Sequence, residues 1–262
     1  MRNIRRIILL ILAVLIIALP AQAASGVIQF SASDADLSGS GFAGGTQPAA
    51  EAPAPAKLQD DVLQIPTATL SPEAAALPWY LTLVNRTHPV PENWTITLKE
   101  LSNGRKIDVR IYEDLQAMFD DARAAGLTPK VNTAYRTYED QKDMLITKYR
   151  QQRNSGLSHE DAQVAALKWA SYPGYSEHQL GLAVDINSSD QEKCSNDRVW
   201  DWMKRNCQNY GFIWRYPGVK SDITGISNED WHFRYVGKEA ATYIMSNRLC
   251  LEEYLQQQYG IE

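Results

Sequence analysis

Two hydrophobic periods divide the chain. Over 112–125, Leu115, Met118, Phe119 and Ala122 recur at three- and four-residue intervals, which predicts an amphipathic helix with Gly126 as its stop. A strand is expected at 130–134, then a polar helix running to about Gln152. Ser158, with Asp161 three residues on, has the pattern of an N-cap and opens a second helix through Trp169, which Tyr172-Pro173-Gly174-Tyr175 breaks. At 182–186 the period falls to two. Leu182, Val184 and Ile186 would face a core, leaving Ala183, Asp185 and Asn187 on the opposite face. A helix at 197–210 carries Val199, Trp202 and Met203 on one side and stops at Gly211, before a strand at 212–216. The pattern then predicts a loop over 217–226, a strand at 231–236, and closing helices at 238–247 and 251–258. Upstream, Asn103-Gly104 reads as a turn between short strands at 95–98 and 106–110. Few strands with helices outside them predict an α+β domain, a small antiparallel sheet flanked by helices.

The N-terminal quarter follows neither period. Arg2, Arg5 and Arg6 precede an unbroken apolar run over 7–19, and Ala21-Gln22-Ala23 follows, so residues 1–23 are expected to be a signal peptide or an N-terminal membrane anchor. Either reading places the remainder outside the cytoplasm, exported, extracellular or associated with the cell envelope. Residues 24–77 turn to Gly, Ala, Ser, Pro and Asp and bury too little apolar surface to offset ordering entropy, so a flexible linker is expected there. The folded domain is then 78–262.

Composition narrows the partners. The 262 residues, 44% hydrophobic with seven Trp, suffice for one good core, and a monomer is expected. A formal net charge of -5, with no basic run beyond the first six residues, argues against nucleic acid. The three cysteines lack metal-ligand spacing; Cys207 with Cys250 is the preferred pairing, because a helix would hold Cys194 and Cys207 apart.

Of four histidines, His88 lies in the loop-like Thr87-His88-Pro89-Val90-Pro91 and His159 follows a helix cap, so both read as structural. His178 and Asp185 stand seven residues apart across Gly181, and Glu229-Asp230-Trp231-His232 supplies a second histidine and more carboxylates. Two His and one carboxylate around an open position suit a catalytic zinc ion, with the remaining Glu as base. On spacing alone, however, the two histidines could equally be ordinary buried ones.

The longer pattern is more specific. Ser176-x-His178-x-x-Gly181-x-Ala183-x-Asp185 with Glu229-x-Trp231-His232 resembles the signature of VanY-type D-alanyl-D-alanine carboxypeptidases, zinc peptidases of the LAS group. Tyr135-Arg136-Thr137, Gly211-Phe212-Ile213, Thr224-Gly225-Ile226 and the segment from His232 to Gly237 resemble that family in order and spacing, over roughly 78–258. The resemblance implies a sheet that carries zinc on His178, Asp185 and His232, with Glu229 as catalytic base. It implies that Arg136 contacts the substrate's carbonyl or terminal carboxylate, and that Gln141 and Ser176 contact substrate. The implied substrate is the peptidoglycan stem peptide, trimmed of its C-terminal D-Ala. An L,D-carboxypeptidase acting on tetrapeptide stems, an endopeptidase of the same group and a non-catalytic wall-binding module are the alternatives; a binding module has no need of Glu229. No serine has a lysine three positions on, so the Ser-x-x-Lys nucleophile of penicillin-binding proteins is absent from the sequence.

Overall fold

Four antiparallel strands carry the domain, in the order β5 (Pro129–Thr133), β6 (Ala183–Ser188), β8 (Glu229–Tyr235) and β7 (Phe212–Tyr216). The computed structural model describes residues 77–261, together with the backbone of two short strands, β1 (Val27–Gln29) and β2 (Val62–Gln64), which pair antiparallel. These two strands fall within the segment expected to be a linker; the expected signal or anchor segment lies outside the described residues. A separate hairpin pairs β3 (Leu98–Glu100) with β4 (Lys106–Asp108) across the Asn103-Gly104 turn.

Register explains how the sheet serves a site. Val184 lies opposite Phe233, Asp185 opposite His232 and Ala183 opposite Arg234. Because successive side chains alternate faces, Val184 and Phe233 go to the core while Asp185 and His232 emerge together on the other face. The core face packs Val184, Ile186, Phe212 and Phe233 against Leu115, Met118 and Phe119 of α1 (Tyr112–Ala124). A second cluster joins Ile213 and Val236 to α6 (Lys238–Asn247) and α7 (Leu251–Tyr259). A third lies between α2 (Tyr138–Asn154) and α3 (His159–Leu167), where Leu145 and Tyr149 meet Ala162 and Ala166. The α2–α3 pair is thus braced by a small core of its own.

Several boundaries differ from the sequence expectation, for local reasons. The strand expected to run to 110 stops at Asp108, whose carboxylate accepts a hydrogen bond from the Arg110 amide at 2.9 Å and caps a single turn at Val109–Ile111. The expected 197–210 helix is α4 (Asn196–Asn206) followed by a tighter turn, Cys207–Tyr210. The expected loop over 217–226 contains a turn at Gly218–Lys220 and the short helix α5 (Ser221–Thr224). All three cysteines are free and buried, so the Cys207–Cys250 pairing is not formed. Cys194 and Cys207 are packed into the main core, and Cys250 is the N-cap residue of α7, its backbone amide donating to Glu253 Oε2 at 2.8 Å.

Candidate active site

The sheet brings Asp185 and His232 face to face, and a tight turn delivers the third group. His178 lies in the turn Glu177–Leu180, which ends at Gly181 with φ +72°. Only glycine suits that position: besides the positive φ, a Cβ would collide with Ile96 Cδ1 and lie 3.0 Å from the Asp108 amide nitrogen. His178 Nδ1 donates to the Ala134 carbonyl at 2.8 Å, which fixes the ring and turns Nε2 toward the sheet. His178 Nε2 is then 3.5 Å from Asp185 Oδ1, and His232 Nδ1 is 3.3 Å from the same oxygen.

These three buried groups can hold a metal ion, their ligand atoms lying within 4.8 Å of one another. A tetrahedral zinc ion with bonds of about 2.0–2.1 Å separates its ligands by roughly 3.3–3.4 Å. The two edges that meet at Asp185 Oδ1, 3.5 and 3.3 Å, lie close to that value, and the third is no longer than 4.8 Å. At these distances the contacts are charge contacts rather than hydrogen bonds, since Asp185 Oδ1 is buried with no hydrogen-bond partner. A buried carboxylate oxygen left unpaired between two imidazole nitrogens is costly unless a cation joins them, so the residues present fit a metal.

Electrostatics agree. Burial alone would raise the Asp185 carboxyl, but the two histidines outweigh it and hold the group ionised, far below the usual carboxylate range. Burial, reinforced by the Arg136 charge, pushes His178 down to about 4, so its ring is neutral and ready to ligate at neutral pH. Burial also works against a charged His232, but its contacts with Asp185, Glu177 and Glu229 prevail and raise it. A metal ion must therefore displace a proton there.

Glu229, on the same strand as His232, places Oε2 at 3.2 Å from His232 Nδ1. Regular alternation would put residues three apart on opposite faces. The β7–β8 pairing shifts register between Trp214 and Tyr216, so that Tyr216 pairs with Glu229, and this irregularity turns Glu229 to the metal side. Arg136, in the loop from β5 to α2 and next to the helix N-cap Thr137, lies beside the same cluster. Its Nη2 lies 3.6 Å from Asp185 Oδ2, and its Nη1 donates to Gln141 Oε1 at 2.8 Å. Its Nε is buried with no partner. Gln141 is fully buried, its other amide atom donating to the Ser171 carbonyl at 2.8 Å, so it stands behind Arg136 rather than open to the cleft. Ser176 joins Arg136, Trp169, Tyr216, Glu229 and His232 in lining a small pocket of about 30 Å³. His88 and His159 are elsewhere: His88 Nδ1 is 3.1 Å from Asn85 Oδ1, and His159 Nδ1 is 2.9 Å from the Tyr149 hydroxyl.

Sequence reasoning missed the layer behind the ligands. Glu177 Oε2 lies 3.5 Å from His232 Nε2, the ring nitrogen that faces away from Asp185. Its other oxygen accepts from Arg215 Nε at 2.8 Å and Arg234 Nη1 at 2.9 Å, and Arg215 is in turn gripped by both oxygens of Glu252 on α7. Burial opposes the Glu177 charge, but the two guanidinium groups hold its carboxyl far below the usual range. Tyr216 was missed as well; its ring centroid is 4.7 Å from that of His232. A signal did exist, because Arg215 and Arg234 each interrupt a strand of buried aromatic and aliphatic residues, and a buried arginine requires an acidic partner.

Comparison with known proteins fits this geometry. The VanY family profile, described as D-alanyl-D-alanine carboxypeptidase, matches residues 104–238. A D-alanyl-D-alanine carboxypeptidase of Enterococcus faecalis is 49% identical over 177 residues, covering 68% of this chain and 66% of that one, just under two thirds of the relative's length. Among solved structures, a VanY D,D-pentapeptidase variant from a VanB-type resistance cassette, in complex with Zn(II), is 49% identical, with a TM-score of 0.66 over 68% of this chain and 99% of that one. VanYB in complex with D-Ala-D-Ala is 48% identical, with a TM-score of 0.68 over 69% and 99%. The chain belongs to the VanY family of D-alanyl-D-alanine carboxypeptidases.

Proposed function

We propose that this protein is an exported, zinc-dependent D,D-carboxypeptidase that removes the C-terminal D-Ala from peptidoglycan stem peptides. The observation that carries the reading is the unpaired Asp185 oxygen between two histidine nitrogens, with Glu229 and Arg136 converging on the same point. His178, Asp185 and His232 hold the zinc. When bound, the ion supplies Lewis acidity, polarising a carbonyl and lowering the pKa of water toward about 7.

The chain's own residues do the rest. Glu229 accepts a proton from the attacking water and returns it to the departing amine of D-Ala. Arg136, anchored by Gln141, offers a planar cation to the terminal carboxylate or to negative charge growing on the scissile carbonyl oxygen. The small pocket lined by Ser176, Tyr216 and Trp169 opens beside Arg136 and Glu229, where the C-terminal D-Ala of a substrate would have to enter. Export rests on the basic residues, apolar run and Ala21-Gln22-Ala23 at the N-terminus.

The test is release of D-Ala by purified zinc-loaded protein from a pentapeptide ending in D-Ala-D-Ala, followed beside the corresponding tetrapeptide. Faster cleavage of the pentapeptide, abolished by a chelator and untouched by benzylpenicillin, is expected. A tetrapeptide cut much faster would make it an L,D-carboxypeptidase, and products of internal cleavage alone would make it an endopeptidase.

A further inference from the structure

A second cavity opens from the same centre. It encloses about 510 Å³ and shares Arg136, Trp169 and Glu229 with the small pocket, adding Asp185 and Trp231. One stretch of its lining is a face of α2, with Met144, Lys148, Gln151 and Gln152 at the cleft, while Leu145 and Tyr149 on the adjoining flank of that helix pack against α3, with Met144 beside them. The helix therefore presents a braced surface rather than a loose one. The two spaces meet at Arg136 and Glu229, so a substrate whose C-terminus lies against Arg136 can lay its upstream part along this larger cleft.

Charge within the cleft is uneven. Of its two carboxylates, Asp185 is one of the three metal-site groups and Glu229 stands beside His232, and Arg136 is there with them. Lys148 is the remaining cation of the lining, and it makes no ion pair or hydrogen bond among the described residues. Its neighbours one turn away along α2, Met144 and Gln152, are uncharged. Lys148 lies seven residues beyond Gln141, which anchors Arg136, or roughly 10 Å along the helix at 1.5 Å per residue. An extended peptide covers that distance in about three residues.

We propose that Lys148 binds a carboxylate of the stem peptide two to three residues upstream of the scissile bond, namely the free α-carboxylate that the γ-linked D-glutamate leaves as a branch. The proposal rests on the carboxypeptidase reading and adds a specificity determinant to it: the enzyme discriminates between stems whose second residue is isoglutamate and stems in which it is amidated to isoglutamine. Amidation removes the charge without changing the backbone, so the pair isolates the interaction.

The experiment compares kcat/KM for D-Ala release from two pentapeptides that differ only in isoglutamate or isoglutamine at the second position. Wild type should prefer the isoglutamate stem by about five- to tenfold, as expected for one charge-assisted contact in a partly solvated cleft. That ratio should fall to about one in Lys148→Met and below one in Lys148→Glu. A wild-type ratio near one, or a ratio unchanged by Lys148→Met, overturns the proposal. Wild-type turnover of diacetyl-L-Lys-D-Ala-D-Ala, which has no second-residue carboxylate, tests the underlying reading separately: failure to release D-Ala there overturns the carboxypeptidase reading itself.

Discussion

Replacing Glu177 by Ala should damage both the fold and the metal site, by amounts the geometry constrains. Glu177 is the carboxylate shared by two fully buried arginines, Arg215 and Arg234. Removing one partner of a buried ion pair costs about 3–5 kcal/mol, because the remaining charge is left uncompensated. Here the loss falls unequally. Arg215 keeps two hydrogen bonds to Glu252, at 2.8 and 2.6 Å, whereas Arg234 keeps only the carbonyls of Tyr80, Thr82 and Tyr235. The lower end, about 3 kcal/mol, is therefore expected, or roughly 6–12 °C in Tm for a domain of this size. Urea unfolding of the metal-free protein measures this without a contribution from zinc. The sign of the pH dependence also follows. The folded-state carboxyl titrates far below its unfolded value near 4.3. The stabilisation is thus complete above about pH 4.3, and the gap between wild type and variant should narrow as pH falls further. Loss of the carboxylate facing His232 should in addition weaken zinc about 10- to 100-fold in a chelator competition. A variant within about 1 kcal/mol of wild type at neutral pH would refute the claim that this network supports the site.

Two further outcomes follow from the same structure. Arg136→Lys should lose most turnover despite keeping its charge, because one ammonium cannot both hold Gln141 Oε1 and present a flat fork to substrate; kcat/KM within threefold of wild type would contradict that. Thiol titration should find three free cysteines per chain after denaturation and no fast reaction in the folded domain, since all three are buried and burial pushes the Cys207 and Cys250 thiols up to about 12; fewer than three would mean a disulfide.

The parts of the fold legible in the sequence were those where one periodicity acted alone. The alternation of Leu182, Val184 and Ile186 placed Asp185 on the free face of β6, and the three- and four-residue spacing of Leu115, Met118, Phe119 and Ala122 gave α1 almost to the residue. What escaped were features set by partners distant in the chain. The register shift that brings Glu229 beside His232 depends on pairing with β7, and the Glu177 network joins four segments, so neither has a local pattern. Gln141 matched a substrate-contacting position by resemblance, yet its complete burial behind Arg136 assigns it to positioning.

The central claim is that Glu229 moves the proton at a zinc centre built by His178, Asp185 and His232. Zinc content and kcat on the pentapeptide should be measured together for Glu229→Ala. About one zinc per chain, with kcat lower by about 10²- to 10⁴-fold, is the predicted result. A variant that keeps both its zinc and most of its turnover would contradict it.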